Sequence, residues 1–277
     1  MKFSLILATV GRTAEIDRFF KSLQSQNYVN FEVIVVDQNE DKRLDPILAV
    51  YHQFMDIIHV KSAKGLSKAR NVGLKYITGD VVAFPDDDCW YPVDILEKVR
   101  DVLISSDLDG ISCRCVDING NDSVGIFTKE HGIIDMYNVW NRSTSATIFL
   151  KSSVIKRINP PFDESLGVGS GTIYGSGEDI DLVINAIKAG AKIYYTPEIQ
   201  VFHPNPTLVY NDKTIKRAFS YGCGLGKVLK KHNYPVWYKS KVLIRPLGGC
   251  VLSLLALKVS KARYHMNAFI GRLRGML

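Results

Sequence analysis

Four short apolar runs, each followed by a stretch of helical periodicity, constrain this chain more than any other feature. Phe3 to Ala8, Phe31 to Val36, Ile57 to Val60 and Val81 to Phe84 are continuous rather than alternating in polarity. Strands of that kind are buried on both faces. Thr13 to Gln26 places Ile16, Phe19, Phe20 and Leu23 at helical spacing, with Thr13 positioned as a cap. Pro46 to Phe54, Leu66 to Ile77 and Pro92 to Ile104 read as further helices, and Gly73 permits close packing on the apolar face of the second of these. The alternation implies an α/β, Rossmann-like, mostly parallel sheet flanked by helices. A chain of 277 residues, 46% hydrophobic and 23% charged, is long enough for one large domain with an appendage.

In such sheets, ligands bind beyond the carboxyl ends of the strands. Three of these ends carry suggestive polar groups: Thr9 with Gly11 and Arg12, Asp37, and Asp86-Asp87-Asp88. Three adjacent carboxylates repel one another, and something must offset that repulsion. A hard divalent cation shared with substrate phosphates would do so. A solvated turn with one Asp capping the next helix is the other reading. The dinucleotide-binding fingerprint is missing, since Thr9 to Thr13 holds a single glycine, which excludes a hydride-transferring dehydrogenase.

The second half is less regular. Gly110 to Val116 is an expected strand, Asp117 to Asp122 a turn, and Ser145 to Leu150 a strand before a short helix near Ser153 to Arg157. Pro160 to Gly177 is a glycine-rich loop, a type more often functional than idle. It runs into Glu178-Asp179-Ile180-Asp181, a second acidic cluster opening a helix, where the dipole favours carboxylates. Lys192 to Tyr195 and Ile199 to Phe202 read as two strands, the second ending at His203.

Taken in order, these segments resemble the family 2 glycosyltransferases of the GT-A fold over roughly residues 1 to 205. The resemblance is carried by Ser4 to Thr9 with Arg12, by Phe31 to Asp37 and by Gly65 to Gly73. Gly79 to Asp88 and Gly177 to Leu182 complete it. It implies inverting transfer of a sugar from a nucleotide-sugar donor, UDP-linked by preference, to a glycan or lipid-linked (polyprenyl-diphosphate) acceptor in bacterial polysaccharide biosynthesis. It implies that Asp37 binds the nucleobase, that Thr9 and Arg12 border base and ribose, and that Arg70 holds the nucleotide. Asp86 and Asp88 would be the outer places of an Asp-x-Asp motif, with Asp87 on the ribose or donor sugar. Asp88, with Asp86 and His203, would hold Mn2+ or Mg2+. Asp179 would be the catalytic base, with Glu178 beside it to position the acceptor.

The formal net charge of +7 conceals an asymmetry: residues 213–277 carry 14 Lys and Arg and no Asp or Glu, while the first 212 residues net −7. The expected organisation is therefore a catalytic domain over 1–205 and a basic helical extension over 206–277. Within the first, 1–105 forms a nucleotide-binding half and 106–205 an acceptor half. Asp212 to His232 reads as an amphipathic helix interrupted by Gly222, Gly224 and Gly226. Leu247 to Leu257 is apolar but far short of the ~20 residues a spanning helix needs. Interleaved Trp, Tyr, Lys and Arg match an interfacial segment, so the expected partner is an anionic membrane surface, with the protein peripheral on the cytoplasmic face. Packing of the tail on the core is the other reading. Nucleic acid is not expected, for want of a recognisable module. Five scattered cysteines fit neither a disulfide framework nor a zinc site and suggest a reducing compartment. Two other classes compete for the whole chain: a sugar-phosphate nucleotidyltransferase and a non-catalytic nucleotide-sugar-binding module. The first expects a glycine-rich, Arg-containing loop after strand one, and the second a degraded acidic site.

Overall fold

The structure is a computed structural model that describes residues 1–205 and 207–277. The chain divides into two compact units. The first comprises Met1–Lys64, Lys68–Phe162 and Leu182–Asn205; the second comprises Gly65–Ser67, Asp163–Asp181 and Pro206–Leu277.

The first unit is built on β1 (Phe3–Thr9), β2 (Phe31–Asp37), β3 (Asp56–Lys61), β4 (Val81–Ala83), β5 (Gly110–Val116), β6 (Gly132–Ile133), β7 (Ile148–Lys151) and β8 (Ile193–Phe202). They form one sheet in the order β3-β2-β1-β4-β7-β5-β8-β6. The pairs β1–β2, β2–β3, β1–β4 and β5–β8 are parallel, while β7 runs antiparallel to both its neighbours and β6 to β8. The chain steps from β1 to β2 on one side and later returns to β4 on the other. The ends of β1 and β4 therefore form a topological switch point, where sheets of this type place their ligands.

Alternate residues of the strands face opposite layers. Phe3, Leu5 and Leu7 of β1 and Phe31, Val33 and Val35 of β2 join one buried cluster. The helices α1 (Ala14–Gln24), α2 (Asp45–Tyr51) and α4 (Ile95–Ile104) supply Phe19, Phe20, Leu48, Tyr51, Leu96 and Val99 to the same cluster. The opposite face receives α3 (Leu66–Gly73). A Cβ on Gly73 would lie 2.6 Å from Ile6 Cγ2 and 2.9 Å from Val36 Cγ2, so the close packing expected at this glycine is present.

Several local expectations need correcting. The helix from Leu66 ends at Gly73 rather than Ile77: Lys75 N–H bonds Val72 and Tyr76 N–H bonds Gly73, tightening the chain out of the α-helix. The helix placed from Pro92 begins at Ile95. The strand expected from Ser145 begins at Ile148, because Thr144 and Thr147 exchange capping hydrogen bonds and wind Ser145–Thr147 into a 3-10 turn. The two strands after Lys192 are one, β8, whose register against β5 shifts between Cys113 and Arg114. Pro197 falls in the middle of β8 and offers no N–H to a ladder there.

The second unit contains α7 (Asp212–Lys231), α8 (Val236–Leu255) and α9 (Val259–Met276). Contrary to expectation, α7 runs unbroken through Gly222, Gly224 and Gly226. Packing explains this. A Cβ on Gly226 would lie 2.2 Å from Arg272 O, and one on Gly275 would lie 2.1 Å from Cys223 O. The glycines of α7 and α9 let two backbones touch, which outweighs their poor helix propensity. No helix among the described residues is long and apolar enough to cross a membrane.

Candidate functional site

Parallel pairing of β1 with β4 brings Thr9 and the Asp86-Asp87-Asp88 stretch to one edge of the sheet. The repulsion among the three carboxylates is met there by cations from elsewhere in the chain. Arg12 spans two of them, with Nε 2.9 Å from Asp87 Oδ1 and Nη2 2.8 Å from Asp88 Oδ2. Thr9 Oγ1 donates to Asp87 Oδ2 at 2.8 Å. Asp86 Oδ1 accepts from Arg70 Nη2 at 3.1 Å and from Ser145 Oγ at 2.9 Å. Arg70 is fully buried, its guanidinium 5.5 Å from the ring centre of Phe162. The three carboxylates thus have three different environments. Burial dominates at Asp87 and pushes its carboxyl up to about 6, against the pull of Arg12 and Thr9. At Asp88 burial acts in the same direction, but His203 and Arg12 outweigh it and hold the carboxyl below the usual range.

His203 follows β8 and reaches the same cluster. Its Nε2 lies 2.9 Å from Asp88 Oδ1, while Nδ1 donates to Pro204 O at 2.7 Å. Ser123 Oγ donates to the same carbonyl at 2.9 Å. Burial disfavours the imidazolium, but Asp88 more than compensates and raises the pKa above its ordinary value. The bond from Nδ1 matters for metal chemistry. It fixes the tautomer of a neutral ring, so that the lone pair of Nε2 faces a carboxylate oxygen. In the protonated form that Asp88 favours, Nε2–H donates to Asp88 Oδ1; in the neutral form the same pair offers one imidazole nitrogen and one carboxylate oxygen to a divalent ion. Asp88 and His203 therefore form a pair with the donor chemistry of a divalent-ion site. Asp86 turns instead to Arg70 and Ser145. Among the described residues no group of three or more His, Cys, Asp or Glu side chains gathers at one point.

The neighbouring strand ends at Asp37, which is buried and fully engaged. Its Oδ2 accepts from Lys61 Nζ at 2.7 Å and lies 3.0 Å from His59 Nε2. Its Oδ1 accepts from Asn39 N at 2.8 Å and Asn39 Nδ2 at 2.7 Å. Burial pushes its carboxyl up, and these donors together bring it below the usual range. Asn39 Oδ1 in turn accepts from Gly11 N at 2.6 Å, where a φ of +76° suits glycine. An open cleft of about 510 Å³ lies over this corner, lined in part by Val10, Gly11, Gln38, Asn39, Arg43 and Lys64. Sequence reasoning missed Asn39, Lys61, His59 and Ser145. Asn39 was within reach, since an Asn two residues after a strand-end Asp can close an Asx-type turn. Ser145 lies far from Asp86 in sequence and carried no signal.

Glu178, Asp179 and Asp181 open α6 (Glu178–Lys188), and these first residues belong to the second unit. Their roles separate by burial. Asp181 is fully buried, with Oδ1 2.7 Å from His232 Nε2 and Oδ2 accepting from Lys231 Nζ at 2.8 Å. Glu178 is also buried, against Gly167, where a Cβ would come within 3.1 Å of the Glu178 carboxyl. Asp179 is partly exposed, and its Oδ1 accepts from Ile180 N at 2.8 Å. Of the three it is the least buried.

The family model for Glycosyl transferase family 2 matches residues 4–158. The chain belongs to that family. It is 28% identical over 191 residues to a pre-mycofactocin glycosyltransferase of Mycobacterium tuberculosis, covering 65% of this chain and 38% of the relative. It is 27% identical over 131 residues to an Escherichia coli UDP-Glc:alpha-D-GlcNAc-diphosphoundecaprenol beta-1,3-glucosyltransferase, covering 47% of this chain and 52% of the relative. The chain thus spans from 38% to 52% of the length of these curated relatives. The fold matches the mannosyltransferase PcManGT of Pyrobaculum calidifontis, solved with GDP-Man and Mn2+. The TM-score is 0.66 at 16% identity, covering 98% of this chain and 87% of that one. The architecture is the GT-A fold expected from the sequence, with a C-terminal helical extension.

Proposed function

We propose that this family 2 member is an inverting glycosyltransferase. It moves a sugar from a nucleotide-sugar donor, UDP-linked by preference, to a glycan or polyprenyl-diphosphate-linked acceptor in bacterial polysaccharide biosynthesis. The observation that carries this reading is the cluster at the β1/β4 switch point, where Arg12, Thr9 and His203 engage Asp87 and Asp88. The named activity of the Escherichia coli relative supports the donor and acceptor classes.

The cleft beside Asp37 and Asn39 receives base and ribose, and Arg12 and Arg70 bring positive charge toward the phosphates. Asp88 and His203 would hold Mn2+ or Mg2+, an arrangement with few protein ligands that leaves positions for substrate oxygens. When bound, the ion supplies charge stabilisation to the departing nucleoside diphosphate. Asp179 accepts the proton of the acceptor hydroxyl as its oxygen bonds the anomeric carbon. The bond from that carbon to the diphosphate oxygen breaks, and its electron pair leaves with the nucleoside diphosphate. Glu178 positions the acceptor. Residues 213–277 hold the protein peripherally on the cytoplasmic face of the membrane, in keeping with their unbroken positive charge.

The test is release of nucleoside diphosphate from a panel of UDP-, dTDP- and GDP-sugars, with Mn2+ or with EDTA. One donor should be turned over only with metal, and Asp88→Asn should raise the metal concentration required. Asp179→Asn should lower kcat by about 10²–10⁴-fold with donor KM nearly unchanged. Full transfer by Asp179→Asn would remove the base assignment, and turnover unaffected by EDTA would remove the metal.

A further inference from the structure

α8 and α9 form an antiparallel hairpin. Arg272 Nη1 donates to Val242 O at 2.5 Å, and a Cβ on Gly249 would lie 2.7 Å from His265 Nδ1. These paired positions move toward each other along the chain and converge on residues 256–258. Leu257 is at this tip, 88% exposed.

The outward face of α8 has an unusual composition. Trp237, Lys241, Ile244, Gly248, Leu252 and Leu255 are exposed and recur every three or four residues. They form one stripe about 27 Å long at 1.5 Å rise per residue. Leu252 is 69% exposed and Leu255 77%. Val251, Leu254 and Val259, also exposed, widen its end toward the tip. A water-facing helix carries polar residues on this side. Here the only charges on or beside the stripe are Lys241 and Arg245, with Lys258 and Lys261 past the tip. Their long stems can run along an apolar layer while the cations stay in the polar zone.

We propose that α8 lies in the plane of an anionic bilayer surface, with the stripe from Trp237 to Leu255 and the tip at Leu257 buried at the headgroup–acyl boundary. This rests on the peripheral placement given above and names the element that makes the contact. Charge favours a lipid surface over a second copy docked through this same face. A second copy would bring another 14 cations and no carboxylate from residues 213–277. An anionic bilayer supplies the opposite charge together with an apolar layer that covers the stripe. Trp237 at the far end from the tip has the amphipathic ring favoured at this depth.

The experiment uses the full chain and sedimentation with vesicles of phosphatidylcholine containing about a third phosphatidylglycerol. Wild type should bind these and bind phosphatidylcholine alone weakly. Leu252→Glu with Leu255→Glu should lower partitioning on the order of a hundred-fold, since both side chains are exposed and their loss leaves no cavity. As a control at another exposed apolar site outside the hairpin, Val29→Glu should bind as wild type does. Nucleotide-sugar hydrolysis in solution, measured on the same samples, reports the transferase reading separately. Equal binding by the Leu252→Glu/Leu255→Glu protein overturns the proposal. So does a wild type that ignores anionic vesicles but forms a dimer that the double substitution dissociates.

Discussion

Asp181→Asn is the most informative single change, because it removes one charge and almost no volume. Asp181 has 0% side-chain exposure and accepts at 2.8 Å from Lys231 Nζ; its other oxygen lies 2.7 Å from His232 Nε2, itself only 2% exposed. Breaking a buried pair by removing one partner costs about 3–5 kcal/mol. Lys231 keeps a second carboxylate, Asp163, at 2.8 Å, which argues for the lower end. Burial disfavours the Lys231 cation, yet Asp163 and Asp181 together raise its pKa, so it stays charged through neutral pH. We therefore expect a loss of about 3 kcal/mol in urea denaturation. Asp163→Asn is the comparison. Asp163 is 25% exposed, and removing it leaves Lys231 paired with Asp181, so about 1 kcal/mol is expected. The pair should also act on catalysis, because Asp181 shares the first turn of α6 with Glu178 and Asp179. Loosening that turn should lower kcat while donor KM stays within about two-fold. A loss below 1 kcal/mol for Asp181→Asn, or a larger loss for Asp163→Asn, would refute the argument.

Glu32 should make stability fall in acid. It accepts from Lys2 Nζ, Ser4 Oγ, Thr78 N and Thr78 Oγ1, each at 2.6 Å; burial opposes its charge, but these donors lower its pKa from 4.5 to about 2. A depressed folded-state value means stability that is fully present above pH 4.5 and lost as pH falls toward 2. Allowing for solvent screening at Lys2, about 2 kcal/mol should disappear across that window, and Glu32→Gln should abolish this component of the urea midpoint's pH dependence. Two glycine substitutions should move stability in opposite directions. Gly275→Ala places a methyl 2.1 Å from a backbone carbonyl and should cost about 3 kcal/mol or more. Gly248→Ala meets nothing within 4 Å in the middle of α8 and should stabilise by about 0.5–1 kcal/mol, read from thermal midpoints.

Sequence reading succeeded where the determinants are local. Continuous apolar runs identify β1, β2 and β4, because a strand buried on both faces needs no partner in the sequence to announce itself; β3 shows the same run although it is the half-exposed edge strand. It failed where a distant contact decides. Gly222, Gly224 and Gly226 read as breakers on propensity alone, yet α9 presents Gly271 and Gly275 to the same helix, and α7 runs unbroken through the contact. The strand end at Ser145 is different. Thr144 and Thr147 have the spacing of a capping pair, but neither residue type by itself argues against a strand. Lys192 to Tyr195 and Ile199 to Phe202 read as two strands where the sheet holds one with a shifted register.

The acidic clusters were visible because their charges are adjacent in sequence; what distinguishes their members was not. Asp86, Asp87 and Asp88 look equivalent in the sequence, and Arg70, Arg12 and His203 make them different. Each of these side chains comes from a separate segment: Arg12 follows β1, Arg70 lies on α3 and His203 follows β8. The same holds at α6, where Asp179 and Asp181 are two residues apart at one helix start. Lys231 and His232, at the far end of α7, engage Asp181, while Asp179 is partly exposed. An Asp-rich motif thus shows where charge is concentrated. Which carboxylate is buried in an ion pair, and which stays partly exposed, is decided by partners that long-range folding delivers. For that reason Asp181→Asn and Asp179→Asn, similar on paper, should differ: both should lower kcat, but only Asp181→Asn should also cost about 3 kcal/mol of stability.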